Sequence, residues 1–408
     1  MPFLGGDPWS GLTRELRKHG HRVSVLTTGA YGHLPSDDQL GLVRTADLTS
    51  SGPLRRLLKR PPLSHERDTV AVSKPPPKLL TRTLVPDPFL LSWGAWAIPA
   101  ARQLVKRGRI DCVITTSPPN SNHLVGLGLG RSRPAWLADF RDGWIFEPLH
   151  EPFPTSLQRR LDERFEKHVV RTADRVIAAT QPLIEDLQFR YGADGCLVPN
   201  IWDEELETEV AQATPPPLDH ERVNLVFTGR LAGVRGQDDR GLFEALSQLA
   251  EQESDVAARL RLVIAGQVSP DRAAILERPE LRGLVQMVGA LPRPAAVALQ
   301  RRADALLLVT SHHRSIATGK LSEYLQADRP ILALAGDNEA ARIVRQTQTG
   351  EVVAPDDIPA IVQALKRVAA RSLTYAPRQI NEYTASHAAL TLAEEIETAI
   401  AARERSYV

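Results

Sequence analysis

The chain has 408 residues, more than one ordinary hydrophobic core accommodates, and this length suits two domains of roughly 150–200 residues each. With 42% hydrophobic and 24% charged residues the sequence reads as globular, excluding a disordered or membrane-spanning chain. Two cysteines, Cys112 and Cys196, exclude a disulfide framework and a cysteine-rich metal site, and fit a reducing cytoplasm. The net charge of +1 hides a split: residues 1–200 carry 27 Lys+Arg against 20 Asp+Glu, and residues 201–408 carry 23 against 29. All six tryptophans lie at or before Trp202. A basic, aromatic-rich half suits a membrane surface, a nucleic acid or an anionic substrate.

The segment Met1 to Asp7 lacks a basic n-region and an apolar h-region, so no secretory signal is expected. Residues 9–19 read as a helix closed by Gly20 and followed by a strand over 22–28. Further strands are expected over 111–116, 135–140 and 175–180, with a helix over 161–171 before the last. Eight prolines between 50 and 88 predict an irregular excursion. The apolar run 90–101 is too short for the ~20 residues that span a bilayer. A linker is expected over 211–218. A second series then opens with a strand at 223–228 and continues through strands at 261–265, 285–288, 305–309 and 331–334. Helices intervene near 240–252, 295–301 and 320–326. Alternating strands and helices in both halves predict two doubly wound α/β domains. Because Gly5 and Gly6 arrive after only four residues, the first strand of the first domain reads as truncated, or its start lies upstream of Met1.

The richest segment for chemistry is 315–334. It reads as a loop, a helix starting near Thr318 and Gly319, a turn, and a strand. A helix start offers free N–H groups to a phosphate, Gly319 permits close approach, and Lys320 adds a full charge. Glu323, one turn on, could accept hydrogen bonds from a ribose diol. Pattern alone favours a surface Lys–Glu pair with a capping threonine. Gly229 and Arg230 sit at the carboxyl end of the strand opening the second series, where such sheets bind ligands, with Arg235 five residues on. Two basic sites at sheet ends, without a Gly-x4-Gly-Lys-Ser/Thr loop, suggest a diphosphate across a cleft.

Motifs in order along the chain sharpen this. They are Gly20-His-Arg-Val-Ser-Val-Leu-Thr, Thr116-Ser-Pro-Pro, Ala138-Asp-Phe-Arg-Asp-Gly-Trp, Ala173-Asp-Arg-Val-Ile-Ala-Ala-Thr, Val198-Pro-Asn-Ile-Trp-Asp, Thr228-Gly-Arg-Leu, and Thr318-Gly-Lys-Leu-Ser-Glu-Tyr-Leu with Arg329-Pro-Ile-Leu. Over nearly its whole length the chain resembles the retaining GT-B glycosyltransferases of family 4, in the branch of bacterial surface-polysaccharide assembly. The resemblance implies two Rossmann-like domains facing each other across a cleft: an acceptor domain at 1–205, a nucleotide-sugar domain at 206–375, and a final segment, 376–408, crossing back to the first.

It also implies roles. Arg230 and Lys320 would hold the donor diphosphate, with Arg235, Gly229, Thr318 and Gly319 around it, and Gly5 and Gly6 would reach the donor phosphate. Glu323 would bind the nucleotide ribose. Ser315 stands where many relatives carry an acidic residue, and Arg141 with Asp142 where many carry a histidine; these two could orient the acceptor or the donor sugar. His123 is a further acceptor-side candidate, although a plain helix-start role fits it better.

No metal and no cofactor are implied, the nucleotide sugar being a substrate. The expected partners are a nucleotide sugar, a lipid-linked or saccharide acceptor and an anionic membrane surface, with no nucleic acid. Residues 54–60, basic and amphipathic, suit either that surface or a solvated loop. The expected location is cytoplasmic, peripheral on the inner face of the membrane. A nucleotide-sugar epimerase of this fold and a non-catalytic nucleotide-sugar-binding homologue are the alternatives, Ser315 and the truncated start favouring the second.

Overall fold

The computed structural model describes residues 8–28, 41–46, 90–148, 153, 155–231 and 239–405. Gly5, Gly6, Arg235, the proline-rich excursion and the basic segment 54–60 lie outside them. The chain forms two compact units, residues 1–199 with 388–408, and residues 200–387.

In the first unit the helix Pro8–Lys18 buries Leu12 and Leu16, four apart and so on one face. Strands β1 (Val25–Thr28) and β2 (Leu42–Thr45) form a parallel pair. The apolar run at 90 becomes a helix, Leu90–Gly108, that continues through Pro99. A four-stranded parallel sheet follows in the order β3 (Cys112–Ser117), β4 (Ala135–Phe140), β5 (Arg175–Ala178) and β6 (Gly195–Leu197). β4 is buried on both faces, as an inner parallel strand must be. The helix expected over 161–171 starts earlier, at Ser156, because Thr155 accepts a hydrogen bond from the Gln158 amide and caps it. The helix Gln181–Tyr191 carries Pro182 in its first turn and ends on Gly192 at φ +70°, a left-handed stop that glycine adopts without strain. The last helix, Ala385–Arg405, packs on this unit, where Arg175 pairs with Glu395 at 2.7 Å.

The second unit is a six-stranded parallel sheet in the order β9 (Val285–Met287), β8 (Leu260–Val268), β7 (Val223–Leu231), β10 (Ala305–Val309), β11 (Ile331–Leu334), β12 (Gly350–Val353). Alternate residues of a strand serve opposite faces. Ala305, Leu307 and Val309 join the core under the helices Arg240–Gln252 and Ile358–Ala369. Leu306 and Leu308 join the core under Gly319–Leu325 and Glu339–Thr347. The strand order reverses between β7 and β10, which is where a doubly wound sheet opens a crevice at its carboxyl edge.

Candidate active site at the switch point of the second sheet

Thr228, Gly229 and Arg230 lie near the end of β7, beyond its pairing with β10 and still paired with β8. The helix Gly319–Leu325 begins after the loop that leaves β10. The ammonium of Lys320 donates to the Thr228 carbonyl at 2.7 Å. Gly229 sits at φ +129°, and a β-carbon there would lie 1.6 Å from Lys320 Nζ, so only glycine leaves room for the lysine. Burial lowers the Lys320 pKa below its usual 10.5; Glu323 opposes this and Arg230 adds to it. Arg230 is exposed and donates to Gln267 on β8 at 2.9 Å.

Glu323 does not face open solvent. It is buried, with Arg293 donating to one carboxylate oxygen at 2.9 Å and Gln300 to the other at 3.3 Å. Gln300 also donates to the Thr228 hydroxyl at 2.9 Å, and the Tyr324 hydroxyl accepts from the Thr228 amide at 3.0 Å. One buried hydrogen-bonded network thus ties Glu323 to the strand end that carries Gly229. Thr318 precedes the helix in extended conformation, and its hydroxyl is buried with no partner among the described residues. A buried hydroxyl without a partner is costly, which fits one reserved for a ligand. Ser315 lies half-buried in the same loop, and Asn200 donates to the Ala317 carbonyl at 2.9 Å. The structure therefore gathers Gly229, Arg230, Thr318, Gly319, Lys320 and Glu323 at the switch point. Sequence reasoning missed Arg293, Gln300 and Gln267. Arg293 is 30 residues from Glu323 in the chain, and no motif marks it.

In the first unit Arg141 and Asp142 follow β4. Arg141 is turned inward, its side chain 9% exposed, and donates to the Val198 carbonyl at 2.7 Å and to Asp139 at 3.5 Å. Asp139, fully buried, also accepts from Thr116 at 2.7 Å and from the Trp9 indole at 2.9 Å. Burial raises its pKa, and Arg141 opposes the shift. Asp142 is half-buried at the carboxyl edge. A β-carbon on Gly143 would meet the Phe146 carbonyl at 1.8 Å, so this glycine permits the tight fold of the loop behind Asp142. His123 is fully buried under Phe140 and Trp144, and its Nδ1 meets the Thr115 hydroxyl at 2.8 Å. That places it in the core at a helix start. No group of three or more His, Cys, Asp or Glu side chains with metal-holding geometry occurs among the described residues.

The model of the glycosyl transferase 4-like domain matches residues 9–200, and that of glycosyl transferases group 1 matches residues 222–371. No curated protein sequence matches the chain. Among solved structures, an apo lipopolysaccharide outer core galactosyltransferase, WaaB, aligns at 19% identity and TM-score 0.50, over 75% of this chain and 80% of that one. A sucrose-phosphate synthase from Thermosynechococcus elongatus aligns at 18% identity and TM-score 0.52, over 75% and 78%. At these identities the two structures speak for the fold, while the two domain models speak for the chemistry. A glycosyl transferase 4-like domain followed by a group 1 domain, each built on parallel α/β sheet, makes the chain a GT-B glycosyltransferase.

Proposed function

We propose that the protein transfers a sugar from a nucleoside-diphosphate donor to a hydroxyl of a lipid-linked or polysaccharide precursor, with retention of configuration and without an essential metal. The observation that carries the donor assignment is the pair Lys320 and Arg230 at the switch point, the lysine seated where Gly229 lacks a side chain. Two carboxylate oxygens of Glu323, each holding one protein donor, keep a second acceptor position for the ribose diol. Thr318 and Gly319 complete the described surroundings of the diphosphate, and Ser315 can hydrogen-bond the transferred sugar; the assignment of Arg235, Gly5 and Gly6 to the diphosphate rests on the sequence resemblance alone.

In the reaction, the bond from the anomeric carbon to the donor phosphate oxygen breaks and the diphosphate leaves with the electron pair. Lys320 and Arg230 meet the charge that develops, a role served by prearranged cations rather than by movement. The acceptor oxygen bonds to the anomeric carbon from the same face, and its proton passes to the departing phosphate oxygen. Asp142 orients the incoming hydroxyl, and Arg141, itself anchored on Asp139 and Val198, holds the loop that presents it. Retention and the polysaccharide acceptor rest on the sequence resemblance. Among the described residues no helix is long and apolar enough to cross a membrane. A lipid-linked acceptor then calls for a peripheral site on the cytoplasmic face of the membrane.

The test is incubation with a panel of nucleotide sugars and lipid-linked acceptors, following nucleotide release and glycosylated product. Release coupled to product supports the proposal. Binding without release in every combination supports a non-catalytic homologue, and a donor recovered with an inverted sugar carbon supports an epimerase.

A further inference from the structure

The helix Ser156–Thr172 in the first unit has two faces that follow different rules. Its inward face buries Gln158, Asp162, Glu166, Val169 and Val170, with Asp162 accepting from the Trp144 indole and Glu166 accepting from Arg190 and Tyr191. At 100° per residue, Leu157, Arg160, Leu161, Arg164, His168 and Arg171 fall in an outward sector about 100° wide. All six are exposed, Leu157 at 65% and Leu161 at 41%. The stripe runs about 21 Å along the helix. Lys167 lies at its edge, and Arg159 lies on the other side of the helix. Among the described residues none of the cationic groups of Arg159, Arg160, Arg164, Lys167 and Arg171 has a hydrogen bond or ion pair. Glu163, the one exposed acid of the helix, lies outside the sector.

Four unpaired cations on one helix face, Arg160, Arg164, Lys167 and Arg171, are a surface held for a polyanion, and two leucines exposed in their midst are costly in water unless something apolar receives them. A nucleic acid or an acidic protein would use the cations and leave the leucines wet. An anionic bilayer uses both: guanidinium groups reach the headgroups, and leucines enter the acyl boundary. We infer that the outward face of the Ser156–Thr172 helix is a docking surface for an anionic phospholipid membrane. The inference rests on the membrane-side reading above and gives it a location, distinct from residues 54–60.

The full-length chain is tested by co-sedimentation with vesicles of phosphatidylcholine alone and of phosphatidylcholine with about one-third phosphatidylglycerol. Binding to the anionic vesicles only is expected, and it weakens as salt is raised. Leu157→Ser with Leu161→Ser lowers the bound fraction about tenfold while retention on heparin is unchanged. Arg160→Gln, Arg164→Gln and Arg171→Gln together lower both. All five side chains are exposed, so unfolding midpoints stay at the parent value. Parent-like vesicle binding by the leucine variant overturns the inference, as does equal loss of heparin and vesicle binding in it, or no vesicle binding by the parent. Glycosyl transfer to a detergent-solubilised acceptor, measured on the same variants, separates the two proposals. Its presence with vesicle binding unaffected by these changes leaves the transferase standing and removes the docking surface.

Discussion

Lys320 donates its ammonium to the Thr228 carbonyl at 2.7 Å, bridging the helix that follows β10 to the end of β7. The contact fixes the charge at the switch point before any ligand arrives. It also leaves the lysine with a pKa lowered by burial. A diphosphate binds the charged form, so donor affinity falls as pH rises through this pKa, below the 10.5 at which an ordinary lysine titrates. Lys320→Met is expected to remove this limb of the pH profile and to lower kcat/KM about 100-fold. Calorimetric titration with the donor at several pH values checks it, and a limb that survives in the variant belongs to another group.

Gly229 makes that seat available. In Gly229→Ala the new methyl lies 1.6 Å from Lys320 Nζ, and the backbone at φ +129° strains any β-carbon. The lysine is expected to swing out, with a loss of about 1–3 kcal/mol of stability in the second unit. Donor affinity should fall nearly as far as in Lys320→Met. A double variant no weaker than Lys320→Met alone would show that the glycine acts through the lysine, which a double-mutant cycle reads directly.

Glu323 carries two loads, structural and ligand-facing. Glu323→Ala strips Arg293 of its acceptor and Gln300 of one of its two, a buried loss of about 2–3 kcal/mol. Glu323→Gln keeps the shape and one acceptor oxygen, so it should fold near the parent midpoint and bind donor more weakly. Arg293→Ala should weaken donor binding less than Glu323→Ala. An Arg293→Ala effect equal to or larger than that of Glu323→Ala would make the arginine, rather than the carboxylate, the ligand-facing group.

Legibility followed the range of the interaction. β10 and β11 fall where the sequence places them, because short apolar runs buried on both faces admit few other readings. Lys320 and Glu323 were found because helix spacing puts them on neighbouring turns. What they hold was not legible: Thr228 is 92 residues away and Arg293 is 30. Burial likewise escaped the reading of Arg141, which the sequence presents as a charge beside Asp142 and the fold turns inward onto Asp139. The helix Gln181–Tyr191 carried its own signals, Pro182 at the start and Gly192 at the stop, and its apolar residues Leu183, Ile184 and Leu187 are buried. Its outline was therefore available from local chemistry.

Asp139 offers a test of the first unit independent of any ligand. It is fully buried and accepts from Trp9, Thr116 and Arg141, so its removal leaves an arginine with a 9% exposed side chain lacking its counter-charge. Asp139→Ala is expected to lower stability by about 3–5 kcal/mol, with the loss confined to the unfolding transition of the first unit. Asp139→Asn keeps one acceptor and should recover part of it. Urea unfolding followed by tryptophan emission is apt, because Trp9 donates to this carboxylate.

His123 sets a pH dependence whose sign can be worked out. Burial lowers its pKa from 6.5 to about 3. The Trp136 indole donates to the Thr115 hydroxyl at 2.8 Å, and that hydroxyl shares a hydrogen bond of 2.8 Å with His123 Nδ1. Between pH 6.5 and about pH 3 the unfolded chain binds a proton that the folded chain excludes. Stability is therefore fully present above pH 6.5 and is lost as pH falls, by about 1.4 kcal/mol per pH unit from this group alone. Asp139 acts in the opposite sense, its raised pKa making the folded form the better proton binder at low pH. Comparing variant with parent at each pH cancels that contribution. His123→Phe keeps the ring contacts with Phe140 and Trp144 and removes the titration. It is expected to be less stable than the parent at pH 7, where Thr115 loses its hydrogen-bond partner on the ring, and to close the gap as pH falls toward 4. A gap that stays constant with pH would mean that His123 is not the group that titrates.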